Sequence, residues 1–347
     1  MKQFERIILC LLLGCCLLLS ACGAAQTPAA ETSAPEAATE APAVEAPAEE
    51  AVQAPTVRVL TLNGTTGFGM AELISRANAG ETALRYTIGV ESDASNVTAA
   101  LVSGDCDIAA LPTNAAAALY NKTGGKVQVL ALNTLGVLYL VSDGSVEIGS
   151  FADLDGQTVY APAQNPSFIF SYLCKANGVE VNIDNSYAQP AELNTAAAAG
   201  EVALAVLPEP MVTIARSQNQ NLSVALDLTE EWDKVAPAGS LVQGCVVVRR
   251  DFAEAQPEAL AQFLSDYEAS IALLSADPAA AAQKIEEAGI FAKAAVAEKA
   301  LPRCNVCFIT GEDMQSQLSA FLQIMFETAP QSIGGALPGD DFYCLLG

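Results

Sequence analysis

The sequence predicts an α/β protein of two similar α/β lobes joined by hinge strands, and three observations carry that expectation. Alanine-rich amphipathic stretches alternate with short Val/Leu/Ile runs, the pattern of βα units rather than of an all-β or all-α fold. One unit also occurs twice. Gly104-Asp105-Cys106-Asp107-Ile108-Ala109-Ala110-Leu111-Pro112-Thr113-Asn114 is echoed by Gly200-Glu201-Val202-Ala203-Leu204-Ala205-Val206-Leu207-Pro208-Glu209-Pro210. In each copy a glycine stops a helix, an apolar run makes a buried strand and a proline opens the next helix. Finally, 347 residues leave room for two domains with a core each.

The amino terminus reads as an address. Residues 1–6 are short and basic, residues 7–19 are apolar, and Leu19-Ser20-Ala21-Cys22 closes the run. That is the pattern of a secretory signal, too short for a comfortable membrane span. Residues 23–55 then contain only Ala, Pro, Glu, Thr, Ser, Gln, Gly and Val. Such a segment buries too little apolar surface to offset its chain entropy, so residues 22–55 are expected to be a disordered acidic tether. An alanine-rich helix is the alternative, weakened by Pro28, Pro35, Pro42 and Pro47.

The first lobe is expected over residues 56–135. A strand at 57–62 gives way to Asn63-Gly64-Thr65-Thr66-Gly67-Phe68-Gly69, and a helix follows to about Ala77. Glycines and threonines at a strand-to-helix turn let amides and hydroxyls approach a ligand, though a plain tight turn gives the same pattern. No Lys-Ser/Thr follows, so this is not a phosphate-binding P-loop. Strands at 84–89, 107–111 and 127–132 alternate with helices at 95–102, capped by Ser95 or Asn96, and from Pro112 to Tyr120. Asn133-Thr134-Leu135-Gly136 interrupts an apolar run, either as a crossover into the second lobe or as a bulge.

The second lobe, 136–240, repeats the plan. A strand at 158–161 leads through Pro162-Ala163-Gln164-Asn165-Pro166-Ser167 into a helix bearing Phe168, Phe170 and Tyr172. Strands at 181–186, 202–207 and 222–226 follow, and a short helix begins at Thr229-Glu230-Glu231-Trp232. Residues 243–249 read as the strand returning to the first lobe. Residues 241–347 then supply helices at 257–274, 278–288, 292–300 and 311–326, expected to pack on the first lobe.

Composition excludes several functions. The formal charge is −24, and loss of the leader would make it one more negative, so the surface repels phosphate backbones and nucleic acid is not an expected partner. There is no histidine, which removes the usual general base and zinc ligand. Cys304-Asn305-Val306-Cys307 has redox spacing without a thioredoxin-like βαβ context, so the cysteines read as structural. No cofactor and no metal is expected.

Leu19–Cys22, the acidic tether, Gly64–Gly69, Gly104–Asn114 and Leu207-Pro208-Glu209-Pro210 together resemble the lipoprotein solute-binding proteins of ABC importers. The chain looks like the group that includes nitrate, sulfonate, taurine and thiamine-precursor binding proteins, over roughly residues 57–343. The resemblance implies a type II periplasmic-binding-protein fold, acylation of Cys22 after removal of residues 1–21 (an ordinary signal peptide with a stray cysteine being the alternative), and an ABC permease with its ATPase as partner. It also implies a monomer held by its lipid on the extracytoplasmic face of the cell membrane. Cys304 and Cys307 do not match the cysteine-rich motif of fungal pyrimidine-synthesis relatives.

Delivery of a small organic molecule to a permease is therefore the expected function, with a sensor or adhesion lipoprotein, or an enzyme on the same fold, as alternatives. Ligands of such folds lie beyond the carboxyl ends of parallel strands. The candidate contacts there are Thr65, Thr66, Gly67, Phe68, Thr113, Asn114, Asn133, Gln164, Asn165, Ser167, Glu209 and Trp232. No Lys or Arg lies in these loops, so Glu209 is expected either to face a ligand amine or to be a solvated helix-start carboxylate. A neutral or cationic nitrogen-containing solute follows, stacked on Phe68 or Trp232. Hinges are expected near 133–136 and 240–244.

Overall fold

The computed structural model describes residues 56–345; the expected leader, Cys22 and the tether lie outside the described residues. Strand β1 (Thr56–Leu62) leads to a single helical turn, α1 (Thr65–Phe68), and then to α2 (Ala71–Ala79). The stretch expected as an irregular loop is thus itself helical, closed by the Gly67 amide donating to the Gly64 carbonyl at 2.9 Å. The unit continues through β2 (Arg85–Glu91), α3 (Ala94–Ser103), β3 (Ile108–Pro112), α4 (Thr113–Thr123) and β4 (Val127–Thr134). The cap of α3 is Asp93, whose carboxylate accepts from the Ser95 amide at 2.8 Å. This corrects the expectation of Ser95 or Asn96, which lie inside the helix.

Strand β5 (Leu138–Ser142) starts a second sheet, so the break after Thr134 is a crossover and not a bulge. It is followed by β6 (Thr158–Tyr160), α5 (Asn165–Asn177), β7 (Asn182–Asp184), α6 (Pro190–Ala199), β8 (Leu204–Pro208), α7 (Met211–Gln218), β9 (Ser223–Asp227) and α8 (Leu228–Asp233). Strand β10 (Gly244–Arg249) returns to the first sheet. Beyond it come α9 (Arg250–Ala255), α10 (Pro257–Ala276), α11 (Pro278–Glu287), α12 (Ala294–Ala300), β11 (Val306–Ile309) and α13 (Gly311–Thr328).

The duplication is visible in the strand order. The first sheet runs β11-β4-β10-β3-β1-β2 and the second β7-β6-β8-β5-β9. In each, the unit's second, first and third strands are followed by the crossing strand and then its fourth. The crossing strand, β10 in one sheet and β5 in the other, is antiparallel to both neighbours. The echoed segments occupy equivalent places: β3 and β8 share one burial pattern, four buried residues and a half-buried proline. Each follows a helix ended by a glycine in the left-handed region, Gly104 (φ 83°) and Gly200 (φ 75°), which a side chain would strain.

Among the described residues three apolar clusters hold the layers. One lies between the first sheet and α2, α10, α11 and α12, with Phe68, Leu73, Phe263 and Tyr267 fully buried. A smaller one packs α6 and α7 on the second sheet. The third is continuous across both lobes, joining Leu111 and Leu132 of the first sheet to Leu204 of the second, Phe170 of α5 and Trp232 of α8, with Phe321 of α13 in the same cluster.

Two parts of the tail differ from expectation. Strand β11 was not foreseen, because its four residues between two helices offer no alternation; it pairs antiparallel with β4. Helix α13 packs not on the first lobe alone but on β4, α4 and α5, since its buried face (Met314, Leu318, Phe321, Leu322, Met325) is wide enough to serve both lobes.

Candidate functional site

The polar ends of the repeated units meet where the lobes face each other. Asn114, at the start of α4, accepts at its Oδ1 from Asn165 Nδ2 at the start of α5, 2.8 Å away. The Asn114 amide donates in turn to the Ser332 carbonyl at 3.4 Å. Two neighbours of Asn114 keep a buried polar atom without a partner, Asn165 Oδ1 and Ser332 Oγ. Such an atom costs about 1–3 kcal/mol unless something bonds it, so this junction has hydrogen-bonding capacity that the protein itself leaves unmet. Gln164 stands beside it at φ 67°, a strained conformation for a residue with a side chain. Gln164 is exposed, while Asn114, Asn165, Ser167, Thr65 and Thr66 are half-buried.

A second junction joins Glu209 to a residue that its own loop does not contain. The Glu209 side chain is fully enclosed, and its oxygens accept from the Thr213 amide (3.0 Å), the Thr213 hydroxyl (3.1 Å) and Arg303 Nε (2.6 Å). Arg303 lies between α12 and β11, far along the chain. The absence of Lys and Arg from the loops is therefore no measure of the charge at the site. Glu209 is an ion-paired carboxylate, which corrects both readings of it as a free or solvated charge. Tyr139 on β5 donates its hydroxyl to the Arg303 carbonyl at 2.8 Å, and burial pushes that phenol well above its ordinary range, keeping it a donor.

The glycine/threonine turn is held from behind. Asn133, buried at the end of β4, donates from Nδ2 to the Thr66 carbonyl and to the Tyr267 hydroxyl, each at 3.1 Å. Ser270 of α10 donates to the Gly69 carbonyl at 2.6 Å. Gly67 is closer still to its surroundings, since a Cβ there would stand 2.0 Å from the Leu62 carbonyl oxygen. Asn133 and Gly67 thus shape the turn rather than present polar atoms to a cleft. Thr113 is likewise buried, its hydroxyl donating to the Val242 carbonyl at 2.7 Å.

Phe68 and Trp232 correct the stacking expectation. Both are fully enclosed: Phe68 meets Phe291 edge-on at 6.1 Å, while Trp232 lies 4.8 Å from Tyr172 and 5.9 Å from Phe321. Nearness to polar loops in sequence suggested exposure, but each ring lies on the core-facing side of its element. The six described cysteines are free, and burial pushes Cys106, Cys174 and Cys307 each up to about 12, which leaves them thiols. Among the described residues no group of three or more Cys, Asp or Glu is placed to hold a metal ion. Arg303, Tyr139, Tyr267 and Ser332 were missed from sequence because each reaches the site from a remote element. The only local signal was Arg303, one of the few cations in the tail.

Comparison with known proteins identifies the family and the fold. Residues 87–301 match the family described as the substrate binding domain of ABC-type glycine betaine transport systems. No match is found among curated proteins. Solved structures share the fold. An ABC transporter protein from Parabacteroides distasonis is 24% identical with a TM-score of 0.69, over 83% of this chain and 98% of its own. The periplasmic aliphatic sulphonate binding protein of Escherichia coli is 13% identical with a TM-score of 0.65, over 84% and 94%. The alkanesulfonate-binding protein of Xanthomonas axonopodis pv. citri, bound to MOPS, is 15% identical with a TM-score of 0.58, over 79% and 94%. No helix among the described residues is long and apolar enough to cross a membrane. With the fold of the periplasmic binding proteins and a family match over more than half its length, the chain belongs to the family of ABC-type substrate-binding domains and is a substrate-binding protein of an ABC import system.

Proposed function

We propose that this protein captures a neutral or cationic nitrogen-containing organic solute between its lobes and hands it, without chemistry, to its ABC permease and ATPase. In this reading residues 56–135 and 241–347 form one lobe and 136–240 the other, and the chain acts as a monomer. The observation that carries the ligand class is Asn165 Oδ1, a buried acceptor at the lobe junction that lacks a donor. A ligand N–H answers it, whereas a sulfonate offers only further acceptors. With Glu209 paired to Arg303, selectivity rests on neutral amides rather than on a free carboxylate. Thr65, Thr66, Asn114, Gln164 and Ser167 complete the proposed contacts.

Thermal-shift screening separates the classes, because a ligand that binds only the folded state raises its stability by RT ln(1 + [L]/Kd). Amines, amides and nitrogen heterocycles are expected to raise the unfolding temperature; a response to alkanesulfonates alone would reverse the assignment.

The same reading places the protein on the extracytoplasmic face, anchored through acylated Cys22 with the 23–55 tether as spacer. One or two acyl chains supply the binding that no described helix provides. Cys22→Ala is expected to move the protein from the membrane fraction to the soluble one. A variant that still sediments with membranes until detergent is added would contradict the anchor.

A further inference from the structure

One of the places where the lobes touch is charged. Helix α12 packs on α11 of the first lobe and also touches α7 of the second. Arg303 follows it, and the chain then returns to the first sheet as β11, beside β4. Both flanks of Arg303 therefore belong to the first lobe. Its guanidinium nevertheless bonds Glu209 at 2.6 Å and the Thr213 hydroxyl at 2.8 Å, both on the second. Its carbonyl takes the Tyr139 hydroxyl, again from the second lobe.

The burial is lopsided: the Glu209 side chain is fully enclosed and that of Arg303 is 34% exposed. If the lobes part, Arg303 leaves Glu209, whose other partners are the Thr213 amide and hydroxyl. Separating a paired carboxylate and guanidinium costs whatever their mutual bonds exceed those that water then offers. Asn305 sets the geometry. It adopts φ 43°, which asparagine tolerates better than most residues, its amide donates to the Gly136 carbonyl at 2.5 Å, and its own carbonyl accepts from Leu135 N at 3.0 Å. The segment 303–305 thus grips the connection between β4 and β5 and the second lobe together.

We propose that Arg303 is a positioning residue that latches the lobes shut through Glu209 and so sets how much of the free protein is closed before solute binds. The inference rests on the reading that the lobes open and close around a solute. A latch of this kind adds to the stability of the closed state and lowers the entropy a ligand must remove, at the expense of slower entry.

The test uses ligand-free protein, prepared by unfolding, dialysis and refolding, and needs no known solute. Small-angle scattering of Arg303→Ala is expected to give a larger radius of gyration than wild type. Hydrogen exchange at the Thr213 amide should quicken roughly ten-fold or more, while amides in β1 and β8 keep their protection. Glu209→Gln keeps the side-chain volume, removes the charge and is expected to shift both readouts in the same direction by less. Arg303→Lys, which keeps charge but loses the fork, should fall between wild type and Arg303→Ala. Circular dichroism reports folding separately. Folded Arg303→Ala and Glu209→Gln proteins that match wild type in radius and in Thr213 exchange would overturn the latch. That outcome leaves the transport reading intact, since solute binding is read by calorimetry on wild type; failure of that binding would leave the latch result standing.

Discussion

Trp232→Ala is expected to lower the unfolding free energy by about 3–5 kcal/mol, the range for emptying a buried aromatic site. The indole is fully enclosed on α8 and donates from Nε1 to Ser240 Oγ at 2.8 Å. It also ties the second lobe to α13 through Phe321, so the cavity opens in the cluster common to both lobes. Trp232→Phe keeps most of the volume and loses the hydrogen bond, for an expected cost of about 1–2 kcal/mol. Urea unfolding checks both: the midpoint should fall with little change in slope. The wild-type protein carries one tryptophan, so its emission should report a buried indole and show no stacking response to solute. A Trp232→Ala cost below about 1 kcal/mol would mean the ring is not a core residue.

Gly67→Ala is expected to be the more damaging change for binding. A Cβ at residue 67 lands 2.0 Å from the Leu62 carbonyl oxygen and 2.9 Å from Ile290 Cγ2, and the first of these is backbone with nowhere to go. The turn carrying Thr65 and Thr66 must move, at a cost of about 1–3 kcal/mol or more. Gly64→Ala provides the contrast. Nothing lies within 4 Å of its Cβ, but its φ of 85° and ψ of −160° form a conformation nearly confined to glycine, so its cost of about 1–3 kcal/mol comes from the backbone alone. Solute affinity measured on both should fall much further for Gly67→Ala. Equal losses would show that backbone strain, not the close approach at residue 67, shapes the turn.

The fold was legible because its signals are local. The Gly-acid-apolar-Leu-Pro echo marks β3 and β8 in equivalent slots, and the apolar runs on either side of 133–136 mark two strands in different sheets. The site was legible only in outline. The loops that meet between the lobes, with Asn114 and Asn165 among them, follow from the rule that ligands lie beyond parallel strand ends. Which side chains turn inward does not, because a strand-to-helix loop has no fixed period to read. Phe68 and Trp232 were placed by proximity and lie in the core. Glu209 was judged on loop composition, whereas its partner Arg303 stands 94 residues away and meets it only through the fold. Helix α13 and strand β11 show the same limit, since a helix serving two lobes and a four-residue edge strand carry no distinguishing pattern.

Calorimetry on wild type, Asn165→Ala and Asn114→Ala, using the nitrogen-containing solute that gives the largest thermal shift, tests the central claim most directly. Wild type is expected to bind one solute per chain. Asn165→Ala should lose about ten-fold in affinity, the worth of one hydrogen bond accepted in a desolvated cleft, and Asn114→Ala should also lose affinity, since it removes both a proposed contact and the acceptor that holds Asn165. One-to-one binding that survives both substitutions unchanged would place the solute away from the lobe junction and contradict the account.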